Sequence, residues 1–260
     1  MPDLGIFRPL KILCSELGTR PKRTTWVDFP PILVLYALNT LKNLDEDLYI
    51  QAKSGNELSA IKLLTQLMTQ KDIASIKHCL QGKSPIIAPV LAIEFLGNNR
   101  LPMVFGQILA NELNLPITFD IVQAVKANHT KASAYERIVR QAIFTGEVER
   151  GREYLIVDDT VAMGGTLAGL KGYIETMGGK VIQAVVLTGY QLPFFDIVPT
   201  QKMIQLIQLK HPDLAQWWQN EFHFPLEYLT SGELGHFKKP KSLDEIRNRL
   251  IEAGLQKSLY

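Results

Sequence analysis

The chain contains 260 residues, of which 46% are hydrophobic and 21% are charged, and it carries a formal net charge of +2 at pH 7. These values are close to those of average globular proteins, so they exclude a fibrous repeat and a largely disordered chain. The small net charge also excludes a chain-wide electrostatic attraction to nucleic acid or to an anionic membrane, although a local basic patch stays open.

Neither a targeting signal nor a membrane segment is evident in the sequence. The first residues, MPDLGIFRPLKIL, lack the charged-then-apolar order of a signal peptide. The best apolar run, FPPILVLYAL, is far shorter than the ~20 residues that a membrane-spanning helix needs. We therefore expect a cytoplasmic protein with no membrane partner.

Residues 1–83 are predicted to form a mostly helical N-terminal extension. The residues SGN at 54–56 are candidate helix caps, and Ile61, Leu64 and Met68 follow at helical spacing. This spacing indicates one apolar face that packs against the rest of the protein.

Residues 84–190 alternate strand and helix signals, which predicts an α/β core. The runs PIIAPVLAI and ITFDIVQAV indicate strands, and the helical stripe between them is formed by Val104, Phe105, Ile108, Leu109 and Leu113. A second set follows, with the strand EYLIV, the helix TLAGLKGYIETM and the strand KVIQAVVL. Such alternation implies a parallel sheet covered on both faces, with ligands at the carboxyl ends of its strands.

Residues 191–260 are predicted to form a cover over this sheet. The segment SLDEIRNRLIEAGL indicates a helix that a capping box of Ser242 and Glu245 opens. Before it, the chain is rich in aromatic residues, namely Trp217, Trp218, Phe222 and Phe224. Two interpretations of these aromatic residues stay open, because they either stack on a flat base or belong to the core.

The stretch YLIVDDTVAMGGTLAGL, residues 154–170, carries the strongest chemical signal. Val157 is predicted to end a buried strand, so Asp158 and Asp159 fall where α/β proteins place their sites. The loop Thr160 to Gly165 then enters a helix that starts near Thr166, and free amides at a helix start favour a phosphate. Carboxylates that accept sugar hydroxyls beside such amides describe a site for a ribose 5-phosphate. The alternative is a solvated acid pair in an ordinary turn.

This string resembles the phosphoribosyl pyrophosphate (PRPP) motif of type I phosphoribosyltransferases. The motif has apolar residues, two acids, three variable positions, then a small residue, Gly, a small residue and Thr, which here read YLIV, DD, TVA and MGGT. The resemblance implies a parallel-sheet core of this family, with the helical extension and the C-terminal hood added to it. It implies that Asp158 and Asp159 hold the ribose hydroxyls, and that Mg²⁺ is present on the pyrophosphate, with the same two acids as its candidate ligands. The residues implied to hold the 5-phosphate are Ala162, Met163, Gly164, Gly165 and Thr166.

Two further segments match the order of the family. A loop after the first core strand binds pyrophosphate there, and FLGNNRLPMVF occupies that place with Gly97 and Arg100, the latter a candidate catalytic residue with the acid pair. A simple turn into the helix from Pro102 is the alternative. A flexible lid is implied within KANHTKASAYERIVRQAIFTGEVERG, where Lys126 and Arg137 are candidate substrate-binding residues. A surface helix with a basic face is the alternative.

The resemblance implies transfer of the phosphoribosyl group from PRPP to a nitrogen acceptor, with release of pyrophosphate. Met163 stands where the family usually has Thr or Ala, and Ala162 stands where many purine-type members have an acid. Because of these departures, a non-catalytic module that senses PRPP or a nucleotide stays open. Many such domains work as homodimers, so a second copy of the chain is one expected partner.

Nucleic acid is a third candidate partner. The stretch TRPKRTTW carries basic residues at 20–23 beside Trp26, and a second basic stretch lies at 238–241. Each is interpreted either as a grip on a phosphate backbone or as a solvated loop.

Overall fold

The computed structural model describes residues 21–92, 99–125 and 133–255. The strands are β1 (Ile32–Ala37), β2 (Ile86–Pro89), β3 (Val122–Val125), β4 (Ile143–Thr145), β5 (Glu153–Val161), β6 (Lys180–Gly189) and β7 (Phe194–Phe195). The α-helices are α1 (Thr40–Leu44), α2 (Glu46–Lys53), α3 (Glu57–Leu67), α4 (Gln70–Leu80), α5 (Leu101–Leu113), α6 (Ala134–Val139), α7 (Gly165–Thr176), α8 (Gln201–Lys210), α9 (Leu214–Phe222), α10 (Ser231–Gly235) and α11 (Leu243–Leu255). Two short 3₁₀ helices lie at Leu226–Tyr228 and His236–Lys238.

The central sheet has five strands in the order β2, β5, β6, β1, β7. The first four are parallel, and β7 pairs antiparallel with β1. Helices cover both faces of this sheet, as parallel strands require. The predicted α/β class with a mainly parallel sheet and a helical N-terminal part is confirmed.

Strand β1 is the main element that the sequence patterns did not predict. Its residues lie in the run FPPILVLYAL, whose length is too short for a membrane-spanning helix and whose pattern gives no clear strand signal. In the structure β1 pairs with β6, with Leu33 opposite Val185 and Tyr36 opposite Thr188. Short apolar runs are ambiguous by pattern alone, and the partner that makes this run a strand lies about 150 residues downstream. Residues of the N-terminal part therefore complete the sheet of the core, and the exact division of the chain at 83 and 190 stays a prediction.

Side chains of β5 alternate between two separate apolar layers. Tyr154 and Ile156 belong to the layer that contains α7, whereas Leu155 and Val157 belong to the layer formed with α3, α4 and α5. This division follows from the period of two in a strand, which sends successive side chains to opposite faces. Strand β5 is thus held from both sides, and it leads directly to the acid pair.

The strand predicted in ITFDIVQAV forms at β3 but does not join the central sheet. It pairs antiparallel with β4 in a small two-stranded sheet. Two isolated parallel bridges, Ile87 to Ile117 and Ala92 to Gln123, connect this region to the chain around β2. The expected strand, helix and strand succession is therefore present in order, whereas its second strand lies outside the main sheet.

The C-terminal aromatic residues form a third apolar cluster rather than a stacking surface. Trp218 is fully buried and Phe224 nearly so, and Trp217 and Phe222 pack against the same cluster, which also contains Ile138 of α6 and Leu250 of α11. Trp218 stacks on Phe222 with ring centroids 3.8 Å apart. Of the two interpretations, stacking on a flat base or packing in the core, the structure supports packing in the core.

The segment that precedes β1 docks on α7. A Cβ added at Gly172 would lie 2.3 Å from the backbone oxygen of Lys22. The ammonium of Lys171 donates to the backbone oxygen of Thr25 at 2.7 Å and pairs with Glu175 at 2.7 Å. The interpretation of this segment as a solvated loop therefore agrees with the exposed Lys22 and fails for the buried Arg23.

Replacing Gly172 with alanine tests this docking. The added methyl group would collide with backbone atoms, so we expect Gly172→Ala to lower the free energy of unfolding by about 1–3 kcal/mol. The measurement is urea denaturation followed by circular dichroism. Gly235→Ala is the matched control, because Gly235 is helical and has open space around its Cα; we expect an unchanged or slightly higher free energy. Equal losses in the two variants would contradict the docking.

Within the described ranges, every helix is too short or too polar to cross a membrane.

Candidate active site

The two acids lie inside β5, which continues to Val161 and does not end at Val157 as predicted. Asp158 is opposite Val186 of β6, and both acids are almost fully buried. Because the chain stays extended here, Asp158 falls on the α7 face and Asp159 on the face covered by the N-terminal helices. The interpretation as a solvated acid pair in a turn is therefore wrong.

Asp159 accepts hydrogen bonds on both of its carboxylate oxygens. The ammonium of Lys53, the last residue of α2, lies 2.7 Å from Oδ2, and the side-chain amide of Asn99 donates to Oδ1 at 3.1 Å. The Asp159 side chain is 6% exposed, whereas that of Lys53 is 37% exposed. A residue of the helical extension thus provides the counter-charge for the acid pair.

The two carboxyl groups have opposite pKa shifts. Burial raises the pKa of Asp158 well above its ordinary value, and the charge of Asp159 raises it further. Burial also acts to raise the pKa of Asp159, but the adjacent Lys53 ammonium outweighs it, so the net pKa of Asp159 is lowered. Asp158 therefore holds a proton more strongly than an ordinary aspartate, whereas Asp159 ionises more readily.

The glycine loop turns directly from β5 into α7. Gly164 precedes the helix with a φ of 81°, a left-handed conformation that suits glycine. Helix α7 begins at Gly165, close to the predicted start at Thr166. The backbone amides of its first turn point out of the helix end and carry its positive dipole, so this end can hold an anion.

The C-terminal part holds the glycine loop in place. The hydroxyl of Thr230 donates to the backbone oxygen of Met163 at 2.5 Å, and a Cβ on Gly232 would lie 2.8 Å from the Met163 backbone. Glu233 packs against Gly165, where an added Cβ would lie 2.6 Å from Glu233 Oε1. The loop is therefore preformed by contacts with residues almost 70 positions away.

A buried ion pair joins the N-terminal segment to this C-terminal contact. The guanidinium of Arg23 donates to both carboxylate oxygens of Glu233, at 2.7 and 3.0 Å, and its Nε donates to Gln141 at 3.2 Å. Both side chains of the ion pair are 1% exposed. Arg23 is thus committed to a bidentate pair, the geometry in which such pairs are strongest, and does not grip a phosphate backbone.

These elements surround a cavity of about 570 Å³. The predicted site residues that line it are Asp158, Asp159, Ala162, Met163, Gly164, Gly165, Thr166 and Arg137. The lining residues that the sequence analysis did not assign to the site include Arg23, Lys53, Asn99, Gln141 and Glu233. The cavity therefore holds carboxylates, cations and helix-end amides within one enclosure at the carboxyl ends of the strands.

The remaining three predicted site residues are Gly97, Lys126 and Arg100. Gly97 and Lys126 fall outside the described residues. Arg100 is described, and its Nε donates to the backbone oxygen of Gly55 at 3.3 Å, at the start of α5. Its side chain is not among those that line the cavity, and the neighbouring Asn99 contacts Asp159 instead. The position of Arg100 therefore agrees with the alternative prediction, a simple turn into the helix, and not with a catalytic role.

The residues that sequence reasoning missed gave little local signal. Asn99 lies in the loop FLGNNRLPMVF, which the resemblance assigns to pyrophosphate. Its polar side chain in that loop was the one signal that could have identified it. Lys53 is the last residue of a helix with no neighbouring motif, and Glu233 belongs to a capping box with Thr230, which indicates a helix start and no ligand site. Their contacts span 106 and 210 positions along the chain, and these separations exceed what local spacing can reveal.

The predicted direct ligation of Mg²⁺ by the acid pair does not fit this geometry. Both oxygens of Asp159 already accept hydrogen bonds, and the one from the Lys53 ammonium places a positive charge where a metal ion would have to bind. Over the ranges that the structure describes, no group of three or more His, Cys, Asp or Glu side chains is placed to hold a metal ion.

A mainly parallel α/β sheet with an acid pair and a glycine loop at its carboxyl edge is the arrangement that the motif indicated. Residues 95–192 match the family model described as "Phosphoribosyl transferase domain". The motif at 154–166 lies inside the matched range, so the resemblance to type I phosphoribosyltransferases is confirmed.

Three similar proteins illustrate the extent of this match. "Protein TraN" of Escherichia coli is 38% identical over 236 residues, which cover 90% of this chain and 52% of TraN, so the chain spans about half the length of that relative. Adenine phosphoribosyltransferase of Methanococcus vannielii is 26% identical over 114 residues, 43% of this chain and 66% of that protein. The crystal structure of adenine phosphoribosyltransferase from Thermoanaerobacter pseudethanolicus has 21% identity, a TM-score of 0.32, and coverage of 51% of this chain and 83% of its own.

Neutral replacements of the two acids should have opposite effects on stability. The raised pKa of Asp158 means that the free energy of unfolding falls as pH rises from the ordinary aspartate value of about 3.9 through the native pKa. Asp158→Asn removes this fall, so we expect a free energy at neutral pH equal to or above that of the unmodified protein. The measurement is urea denaturation between about pH 4 and pH 8.

Asp159→Asn is the matched variant. The lowered pKa of Asp159 contributes stability above the ordinary aspartate value, and this contribution is lost as pH falls through the native pKa. We expect Asp159→Asn to lower the free energy of unfolding at neutral pH by about 1–2 kcal/mol, because it leaves Lys53 without its partner; the partial exposure of Lys53 limits the loss. Identical pH profiles for the two variants would contradict the opposite shifts.

Proposed function

We propose that the protein binds PRPP, or a nucleotide with a ribose 5-phosphate, in this cavity and transfers the phosphoribosyl group to a nitrogen acceptor. The observation that carries the proposal is the junction of β5 and α7, where the acid pair and the first-turn amides line one cavity. A ribose 5-phosphate carries hydroxyls at one end and a dianion at the other, and this junction offers a complementary group for each.

The acid pair is suited to a vicinal diol. A hydroxyl both donates and accepts hydrogen bonds, so an ionised Asp159 accepts from one hydroxyl while a protonated Asp158 donates to the other. The 5-phosphate then lies against the amides of Gly165 and Thr166. Arg137, which lines the same cavity, adds positive charge for the pyrophosphate.

The reaction replaces one bond at C1 of the ribose by another. The bond from C1 to the pyrophosphate oxygen breaks with its electron pair on pyrophosphate, the acceptor nitrogen bonds to C1, and its proton goes to solvent. The transition state has oxocarbenium character, as the resemblance implies. The protein contributes by fixing the ribose ring and by stabilising charge on the leaving group. The similarity to an adenine phosphoribosyltransferase makes adenine the first acceptor to test.

A non-catalytic sensor of PRPP or nucleotide is the second candidate, and the sequence of the motif favours it. Ala162 leaves the variable part of the motif without the acid of many purine-type members. A sensor needs the phosphate and ribose contacts but no turnover.

Calorimetric titration with PRPP, ribose 5-phosphate and AMP, together with pyrophosphate release across a panel of bases, separates these functions. Binding with pyrophosphate release is the expected result. Binding of the same ligands without release across the panel would favour the sensor. Failure of every ligand to bind would contradict both functions.

Gly165→Ala tests the glycine loop directly. Its methyl group would meet Glu233 Oε1 at 2.6 Å and force the loop away from its position. We expect binding of ribose 5-phosphate to weaken by about tenfold or more, equivalent to at least 1.4 kcal/mol. Gly235→Ala serves again as the control, and thermal melting confirms that both variants are folded. Unchanged affinity in a folded Gly165→Ala protein would rule out the loop as the phosphate site.

A further inference from the structure

Lys53 reaches the candidate site from an element that lies outside the matched range of 95–192. It is the last residue of α2, and its ammonium lies 2.7 Å from Asp159 Oδ2 and 6.0 Å from the ring centroid of Tyr49. Tyr49 and Lys53 both line the cavity, and 37% of the Lys53 side chain is exposed. The ammonium is thus held on one side by Asp159 and presented on the other to a bound ligand.

Asp159 keeps the capacity to bind a ribose hydroxyl beside Lys53. An ionised carboxylate accepts about four hydrogen bonds. Lys53 and, at 3.5 Å, the Thr160 hydroxyl donate to Oδ2, whereas Asn99 alone of these three donates to Oδ1. A hydroxyl group can therefore bind at Oδ1 without displacing the ammonium. Lys53 would stay in place when a ribose binds.

A divalent cation at Asp159 would have to compete with that ammonium. Mg²⁺ requires oxygen ligands at about 2.0–2.1 Å in nearly octahedral geometry. An ion bound to Oδ2 would lie within a few ångströms of the Lys53 ammonium, and two positive charges in a buried, poorly screened site repel strongly. The cation position beside the ribose is therefore already filled by the protein itself.

We propose that Lys53 is the resident cation at the ribose end of this cavity, so that ligands with a single 5-phosphate bind without a divalent metal ion. This inference rests on the proposed function, because it concerns how the same cavity takes a ribose 5-phosphate. It assigns Lys53 as a positioning residue that holds the Asp159 carboxylate in place. It also assigns a contribution to ligand binding to the helical part of the N-terminal extension.

Titration of the full chain with ribose 5-phosphate and with AMP, each in excess EDTA and in excess MgCl₂, tests the proposal. For the unmodified protein we expect dissociation constants that agree within about twofold between the two conditions. Lys53→Met should bind about tenfold more weakly in EDTA, and MgCl₂ should restore part of that loss because Asp159 becomes open to the ion. Lys53→Arg keeps the charge and should retain binding in EDTA.

Lys42→Met is the matched control. Lys42 also forms an ion pair with an acid, Glu46, but both side chains are largely exposed at the surface and neither lines the cavity. We expect this variant to bind as the unmodified protein does in both conditions. Melting curves of the ligand-free proteins with and without MgCl₂ add a readout independent of the ligands, in which only Lys53→Met should be stabilised by Mg²⁺.

The outcomes separate this inference from the proposed function. Binding by the unmodified protein that requires MgCl₂ would overturn the role of Lys53 and leave the proposed function intact. Unchanged affinity of Lys53→Met in EDTA would also overturn it. Absence of binding in both conditions would overturn the proposed function and this inference with it. If Lys53→Met does not fold, the comparison of the unmodified protein and Lys53→Arg in EDTA and MgCl₂ still decides.

Discussion

The site depends on a single constraint, which is the burial of β5 on both faces. A strand buried on both faces must send alternate side chains into two different layers, and β5 does so from Tyr154 to Val157. The same alternation continues into the acid pair, so Asp158 and Asp159 point toward different layers although they are adjacent in sequence. This difference gives them different partners and opposite pKa shifts. The geometry of one strand thus gives two adjacent acids different affinities for a proton.

Contacts from distant parts of the chain stabilise the two halves of the cavity. Beside the acid pair, Lys53 of α2 forms an ion pair with Asp159. Beside the glycine loop, Arg23 and Glu233 join the N-terminal segment to the C-terminal part next to Gly165, while Thr230 holds the carbonyl of Met163. Breaking a buried ion pair by removing one partner leaves an uncompensated charge and is strongly destabilising, so the Arg23 pair couples the loop to the fold. The regions outside the central motif therefore shape the site as well as cover it.

Much of the fold was predictable because its signals are local. Helical periodicity indicated α5 and α7, apolar runs indicated β2, β5 and β6, and the cap residues before α3 are used as expected, with Asn56 accepting from the amide of Ser59. The failures were also systematic. Strand β1 and the position of β3 depend on which strands they pair with, and pairing partners are not encoded in a short window. The end of β5 was placed four residues too early, because acids in a strand look like the start of a turn until their buried partners are known.

The sequence by itself determined which groups meet at the central site, since two acids, a glycine turn and a helix start follow one another within 17 residues. The short chain between them limits their separation, so the acid pair and the glycine loop had to lie together. Only the tertiary structure decided which groups complete the site. It brought Lys53, Asn99 and Glu233 into the cavity and directed Arg100 to Gly55. Contacts of this kind arise from the packing of whole helices on the sheet, which depends on the complete apolar pattern of the chain and on no single local motif.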